Sequence, residues 1–201
     1  MKTVPDVYHH VPGANISVAP NSALERVEAP WNAFLDDDEV VDSLWLAELI
    51  AVQEDSGGDA VFGPALSIYP EGAPGWMVRG AVHSQSVPLR GGKVLTGSTC
   101  NALLRWQGSD RENLRFDPTF RCSGGKDTIF IDALLARSAR FAVSPKAIVR
   151  EEVALSRLSL RWLARRRFRV GQTCGETAQG HRDRVVRLNL AGARWQPARE
   201  A

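Results

Sequence analysis

A chain of 201 residues with a net charge of +2 and 44% hydrophobic residues is long enough to fold as one soluble domain with a sizeable core. It has no apolar stretch of 18 residues, and residues 1–30 lack the features of a signal peptide, so a cytoplasmic protein is expected. The three cysteines have no CxxC spacing, which argues against a disulfide framework or a structural zinc site.

The first region with a clear pattern joins a short helix to a strand. Residues 21–27 follow Pro20, which suits the first turn of a helix. Residues 31–35 are aromatic and apolar and too few for a helix, which predicts a buried strand. Four carboxylates follow this strand directly: Asp36, Asp37, Asp38 and Glu39. The carboxyl end of a strand is where open α/β sheets bind ligands, so this acidic run is a candidate site.

Two interpretations of the acidic run are open. Carboxylates that repel one another are stabilised by a hard divalent cation, since Mg²⁺ and Mn²⁺ prefer oxygen ligands and often bridge to phosphates. A solvated acidic loop that caps the next helix has the same sequence, because short acidic motifs are weak evidence. The two halves of the chain differ in charge: residues 1–100 carry 5 Lys/Arg and 13 Asp/Glu, whereas residues 101–201 carry 20 Lys/Arg and 10 Asp/Glu. This division fits a ligand of metal and phosphate, and it also fits two unrelated solvated faces.

Downstream, strand and helix patterns alternate, which predicts an α/β sheet. A helix with Ser43 as N-cap is predicted to run through Val52 and to end at Gly57. The remaining predicted elements are, in order, a strand at 60–64, a long loop at 69–92, one or two strands within 94–105, a helix at 128–137 and short strands at 141–143 and 147–149.

A glycine turn opens the helix predicted at 128–137. Residues 123–127 read S-G-G-K-D, and a helix N-terminus favours a negative charge such as that of Asp127. An ionised aspartate beside a flexible turn is a candidate general base toward an incoming hydroxyl. Helix capping by Asp127 is the other interpretation, and the sequence leaves both open.

From Ser156 the chain becomes rich in arginine. Leu158, Trp162 and Leu163 share one helical face, and Gly171 is expected to end the helix. Arginines occupy the rest of this helix: Arg157, Arg161, Arg165, Arg166, Arg167 and Arg169. Guanidinium groups pair bidentately with phosphates, while a solvated basic face, a membrane surface or nucleic acid fits the same pattern.

The order of these motifs is more specific than any one of them. The strand ending in D-D-D-E is followed by D-A-V-F-G-P, G-S-T-C-N-A-L-L-R, R-F-D-P-T-F, G-G-K-D-T and R-L-S-L-R-W-L-A-R-R-R-F-R-V-G-Q-T. From about Val7 to Thr173 this succession resembles the family 2 glycosyltransferases, particularly the bacterial branch that makes exopolysaccharides and related surface glycans. The resemblance implies a GT-A fold, a Rossmann-like mixed α/β sheet flanked by helices, over residues 1–155. Residues 156–201 are then a basic helical extension packed on it.

The resemblance also implies roles for individual residues. Asp38 corresponds to the aspartate that binds Mg²⁺ or Mn²⁺ bridging to the donor diphosphate. Asp127 corresponds to the catalytic base that deprotonates the acceptor hydroxyl for in-line attack with inversion. The positions implied to bind the nucleotide-sugar donor are Asp36, Asp37, Asn21, Gly97, Asn101, Arg161 and Trp162. The implied reaction transfers a sugar from a nucleotide donor, expected to be UDP-linked, to a glycan or lipid-linked acceptor.

Three departures from the family pattern concern donor binding or catalysis. The family's first β-α-β unit, which binds the nucleotide base, is not seen ahead of residue 1, and a strand edge left open in this way is prone to pairing. Pro20 stands where the family has an arginine before the Asn. Lys126 replaces the acidic residue before the catalytic Asp.

These departures keep two alternatives open. One is a catalytically inactive remnant or a partner-binding subunit of such an enzyme. The other is a basic module that binds nucleic acid or an anionic membrane through Arg161–Arg169, although the acidic first half does not suit nucleic acid and no such partner is expected. Peripheral contact with the inner face of the membrane is compatible with the arginine-rich helix and is left open.

Overall fold

The computed structural model of the chain describes residues 8–12, 15–94, 96–107, 111–120 and 126–180. The glycine turn ahead of Lys126 and the part of the predicted basic helical extension that follows Gly180 lie outside the described residues.

The described residues form short strands and five helices. The strands are β1 (Trp31–Leu35), β2 (Glu39–Val41), β3 (Ala60–Phe62), β4 (Ala65–Ile68), β5 (Leu89–Arg90), β6 (Lys93–Val94), β7 (Asn101–Arg105), β8 (Phe141–Val143) and β9 (Val149–Glu152). The helices are α1 (Val18–Leu24), α2 (Trp45–Ser56), α3 (Gly75–Arg79), α4 (Lys126–Ala136) and α5 (Leu160–Gly180), and the 3₁₀ turns are Pro118–Phe120 and Leu155–Arg157.

The main sheet is mixed. Its strand order is β1-β7-β3-β8, in which β7 is antiparallel to β1 and β3, and β3 is parallel to β8. A second sheet has the order β2-β9-β4, with β9 antiparallel to β2 and parallel to β4. With helices packed beside these sheets, the predicted mixed α/β fold class is confirmed.

The core lies on both faces of β3, because successive residues of a strand point to opposite sides. Val61 packs with Leu49 of α2 on one face. Phe62 packs on the other face, in the cluster that contains Phe116 and Phe130. The second face therefore carries the aromatic residues that lie next to α4.

Several sequence-based boundaries are confirmed and others are corrected. The strand at 31–35 forms, but the expectation that it is buried throughout is wrong, because its alternate residues Ala33 and Leu35 are exposed. Gly57 ends α2 in the left-handed conformation as expected, with φ of 61°. The predicted N-cap Ser43 is wrong, since Leu44 occupies that position without a side-chain cap.

Two further corrections concern helices. The loop predicted at 69–92 contains α3, whose burial of Met77 supplies the packing that a loop would lack. Gly171 does not end α5, which continues to Gly180. A glycine inside a helix costs only about 1 kcal/mol relative to alanine, so good helix formers on either side carry the helix through it.

Candidate functional site

β1 and α4 bring two of the predicted carboxylates together. Asp36 directly follows β1, and Asp127 is the second residue of α4. Although much of Asp36 is exposed, its carboxyl group lies against the protein, and this burial raises its pKa. The neighbouring charge of Asp127 raises the pKa of Asp36 further, while Lys126 opposes the shift. Two segments that are remote in the sequence therefore share one acidic site.

Three phenylalanine rings hold these two segments in place. Phe34 of β1 packs edge-on against Phe116 and Phe130, with ring centroids 5.9 and 6.4 Å apart. Phe116 and Phe130 stack with centroids 4.2 Å apart. Phe34 lies two residues before Asp36, and Phe130 lies about one helical turn after Asp127, so this packing positions both carboxylates.

Thr99 orients the carboxylate of Asp127. Its Oγ1 atom donates a hydrogen bond of 2.6 Å to Oδ1 of Asp127. Thr99 is buried in the turn just ahead of β7, so the donor is held next to the sheet. A hydrogen bond to one carboxylate oxygen restrains the group and still leaves the other oxygen with acceptor capacity. The sequence carried no separate signal for Thr99, which lies inside the G-S-T-C-N segment.

Glu39 and Cys100 lie beside Asp36. Glu39 Oε2 accepts a hydrogen bond of 3.1 Å from the backbone N–H of Asp36. Burial raises the pKa of Glu39 to about 7, against the lowering effect of this hydrogen bond. Burial also raises the pKa of Cys100 to about 12. Cys100 is therefore a protonated thiol at neutral pH and is poorly suited to act as a nucleophile.

Asp38 lies near an arginine that had no assigned role in the sequence pattern. Nη2 of Arg157 is 4.0 Å from Oδ2 of Asp38. Nη1 of Arg157 pairs with Oε1 of Glu151, and the guanidinium lies 5.9 Å from the ring centroid of Trp162. Arg157 thus links the acidic run to β9 and to the start of α5.

The two residues of the predicted pair Arg161 and Trp162 lie in different environments. The Trp162 ring is half-buried, with its centroid 5.4 Å from that of His83, whose ring in turn lies 5.5 Å from Tyr69. Arg161 is exposed, and within the described part of the chain its side chain makes no ion pair or hydrogen bond. The structure therefore connects Trp162 to the site through Arg157 and leaves Arg161 in solvent.

Asn101, predicted to bind the donor, is almost completely buried, with 1% of its surface exposed. Its Oδ1 accepts a hydrogen bond of 2.8 Å from Nε1 of Trp45. Its Nδ2 donates to the carbonyl oxygens of Pro64 and Ala147 at 3.0 and 2.7 Å. This amide ties α2, β7 and the segments beside β3 and β9 together, and its role in donor binding stays a prediction.

Gly97 and Asn21 also have clear framework contacts. A Cβ atom on Gly97 would lie 2.4 Å from Cε1 of Phe62, so the close approach of backbone to ring requires glycine. Nδ2 of Asn21 donates to the Phe116 carbonyl oxygen at 2.9 Å, and its Oδ1 accepts from the Phe116 N–H at 2.7 Å. Asn21 therefore holds the segment that carries Phe116, and donor binding by both residues stays a prediction.

The acidic run offers oxygen ligands without a closed metal cage. Asp37 is exposed in the turn between β1 and β2. In the described ranges, no group of three or more His, Cys, Asp or Glu side chains is arranged to hold a metal ion. The described helices also include none that is both long and apolar enough to cross a membrane.

Comparison with known proteins identifies a relative over nearly the whole chain. The succinoglycan biosynthesis protein ExoM of Rhizobium meliloti (strain 1021) is 42% identical over 192 residues, which cover 94% of this chain and 62% of the relative. The chain thus spans about three fifths of the length of that relative. No protein-family model matches the chain.

Solved structures give a weaker likeness. TarS 1-349 of S. aureus in complex with UDP-GlcNAc matches with a TM-score of 0.47 and 17% identity, over 70% of this chain and 40% of TarS. The same protein in complex with UDP matches with a TM-score of 0.46 and 17% identity, over 70% and 41%.

Proposed function

We propose that this chain is a glycosyltransferase related to the succinoglycan biosynthesis protein ExoM, with which it shares 42% identity, and that it transfers a sugar from a nucleotide-sugar donor to an acceptor hydroxyl. The donor is a UDP-linked sugar, and the acceptor is a glycan or a lipid-linked saccharide of a bacterial surface polymer. Such an acceptor places the protein in the cytoplasm at the inner face of the membrane. The whole reaction is a proposal, since the chain spans 62% of that relative.

The observation that carries the proposal is the meeting of Asp36 and Asp127. Burial raises the pKa of Asp36, and the charge of Asp127 adds to that shift. Keeping two carboxylates together is unfavourable for stability alone, because like charges repel in a partly desolvated site. A carboxyl group with a raised pKa beside a carboxylate from a remote segment is a recurrent property of sites that bind cations and move protons.

In the proposed reaction Asp127 is the general base. It accepts the proton of the acceptor hydroxyl while that oxygen forms a bond to the anomeric carbon of the donor sugar. The bond from that carbon to the nucleoside diphosphate breaks on the opposite side, so the configuration inverts. Thr99 restrains Asp127 for this step through its 2.6 Å hydrogen bond, and Asp36 and Asp37 hold the nucleoside.

Asp38 is the proposed ligand of Mg²⁺ or Mn²⁺. It supplies one partly exposed carboxylate, with 55% of its side-chain surface exposed. Such a ligand fits a cation that takes its other ligands from water and substrate phosphates rather than from an all-protein cage. When bound, the cation stabilises the negative charge of the departing diphosphate.

Arg157 is the second proposed contact of the diphosphate. It is 4.0 Å from the carboxylate assigned to the metal, and Glu151 holds it in place through an ion pair. A planar guanidinium that is already oriented by a carboxylate on one side presents its remaining N–H groups to phosphate oxygens. Arg157 therefore takes the role that the sequence suggested for Arg161.

Titration calorimetry of the full chain with a UDP-sugar and Mn²⁺ tests the proposal. Donor binding is expected for the wild type, is abolished by Asp38→Ala and by chelation, and persists in Asp127→Asn. The Asp127→Asn variant is expected to lose transfer of the sugar to acceptor or to water. Asp55→Asn, an exposed change on α2, is the matched control and retains both properties. If the wild type binds none of the UDP-sugars tested, the inactive or partner-binding alternative is favoured.

A further inference from the structure

The helix α5 exposes two contrasting surfaces. Its first turn is anchored by Trp162 against His83, whereas residues 164–172 are all exposed. One side carries large apolar side chains that are 70%, 68% and 49% exposed: Leu160, Phe168 and Val170. At about 100° per residue, the other side carries cations: Arg161, Arg165 and Arg169.

We infer that residues 160–172 of α5 dock on an anionic phospholipid membrane, with the helix lying in the plane of the headgroups. A helix that combines an apolar face with an arginine-rich face binds such an interface by burying the apolar side chains and pairing the cations with anionic lipids. This inference concerns a surface outside the acidic site and does not depend on sugar transfer.

Charge complementarity favours an anionic surface as the binding partner of α5. The sequence has no Asp or Glu between residues 153 and 175, so this segment by itself carries a strong net positive charge. A second copy of the same helix would bring like charges together, which is unfavourable. An anionic membrane supplies negative charge over the whole length of this segment.

The apolar side distinguishes a membrane from nucleic acid. A duplex satisfies the cations through its phosphates, but it offers no hydrocarbon layer in which Phe168, Leu160 and Val170 can be buried. Arg167 lies within the apolar side, and its long aliphatic stem lets the guanidinium reach the headgroups while the stem remains in the apolar layer. An anionic membrane can therefore bind both the apolar side and the cationic side of the helix.

Co-sedimentation of the full chain with vesicles tests the inference. Vesicles of phosphatidylcholine with phosphatidylglycerol are expected to bind the protein, and vesicles of phosphatidylcholine alone are expected to bind it weakly. The double change Arg165→Glu and Arg169→Glu is expected to weaken binding tenfold or more, since each cation near an anionic surface contributes about one kcal/mol. Phe168→Ser is expected to weaken binding while leaving its salt dependence unchanged.

The matched control is the double change Arg26→Glu and Arg79→Glu, which alters net charge equally at two exposed arginines outside α5. Its vesicle binding should equal that of the wild type, and circular dichroism should show every variant folded. Three results overturn the inference: equal binding to both kinds of vesicle, binding to duplex DNA without binding to anionic vesicles, or self-association through Phe168 without vesicle binding.

Discussion

Oγ1 of Thr99 lies 2.6 Å from Oδ1 of Asp127 and donates a hydrogen bond to it. The donor is buried just ahead of β7, whose first residue, Asn101, is itself locked by three hydrogen bonds. The acceptor lies in the first turn of α4, which Phe130 fastens to Phe116. The orientation of the candidate base is therefore set by the sheet as well as by its own helix.

Replacing Thr99 by valine is expected to lower kcat of sugar transfer about tenfold, with little change in KM for the donor. Valine keeps the shape of threonine but removes the charge-assisted hydrogen bond, so the carboxylate loses its restraint while the donor pocket is unchanged. Steady-state kinetics with varied donor concentration measure both constants.

Thr99→Ser is the control for this prediction, because serine keeps the hydroxyl and removes only a methyl group. Its kcat should return close to the wild-type value. Equal loss of kcat in the serine and valine variants would show that Thr99 acts through packing instead.

Glu39 is expected to make stability depend on pH. Its pKa is raised from 4.5 to about 7 in the folded protein, so the folded state holds this proton more tightly than the unfolded state does. Its contribution to the free energy of unfolding is therefore present at low pH and is lost as pH rises through about 7. Between pH 5 and pH 8, the free energy of unfolding should therefore fall less in Glu39→Gln than in the wild type. The raised pKa of Asp36 accounts for part of the fall that remains in the variant.

Urea denaturation at several pH values in metal-free buffer measures this difference. The matched control is Glu54→Gln, an exposed change on α2, which should follow the wild-type curve. Parallel curves for the wild type and Glu39→Gln would contradict the prediction.

Local sequence patterns are sufficient to indicate the resemblance and to locate the two carboxylate segments. The strand at 31–35 and the acidic residues after it are contiguous, so their periodicity and charge are visible without the fold. The predicted resemblance to proteins of bacterial surface-glycan synthesis is confirmed by the succinoglycan biosynthesis protein ExoM, which is 42% identical over 94% of this chain. The sequence predicts the first helix at 21–27, whereas α1 begins three residues earlier, at Val18, and has Pro20 in its first turn.

Contacts across the sheet were beyond the reach of those patterns. Thr99 and Asp127 meet because β7 and α4 pack together, and Arg157 reaches Asp38 because β9 pairs with β2. Neither residue belongs to a motif with its own spacing, so nothing in the sequence distinguished Arg157 from the arginines that follow it. The resemblance implies that Asn101 binds the donor, whereas its three internal hydrogen bonds as a buried amide also explain the residue.

A comparison of Arg157→Gln with Arg161→Gln tests which arginine contacts the donor. Arg157 lies 4.0 Å from Asp38, and Arg161 is exposed. The change at Arg157 is expected to raise the dissociation constant for a UDP-sugar about tenfold, because one charge-assisted phosphate contact is lost. The change at Arg161 is expected to leave this constant within about twofold, in line with the small value of exposed charges.

Calorimetry with UDP and Mn²⁺ compares the two variants, and Arg157→Lys shows whether charge alone is sufficient. Partial binding is expected for lysine, which lacks the planar fork of arginine. A larger effect of Arg161→Gln than of Arg157→Gln would restore the assignment made from the sequence.

Gly97→Ala is expected to destabilise the protein through the ring of Phe62. The added Cβ would lie 2.4 Å from Cε1, and the ring cannot withdraw freely because it is fully buried and packs edge-on against Phe141 at a centroid distance of 5.1 Å. Overpacking of this kind costs about 1–3 kcal/mol. Thermal unfolding followed by circular dichroism should show a lowered Tm, and Phe62→Leu in the same chain should recover part of the loss by making room.

Gly171→Ala is the matched control for Gly97→Ala. An alanine Cβ at position 171 meets nothing within 4 Å, and the residue lies inside α5. Alanine in a helix is favoured over glycine by about 1 kcal/mol, so this variant should unfold no earlier than the wild type. If both variants unfold at the wild-type temperature, Phe62 can move to make room for the added Cβ, and packing does not require glycine at position 97. In that case, the rate of sugar transfer by the Gly97→Ala variant would show whether glycine is required at position 97 for activity instead of for packing.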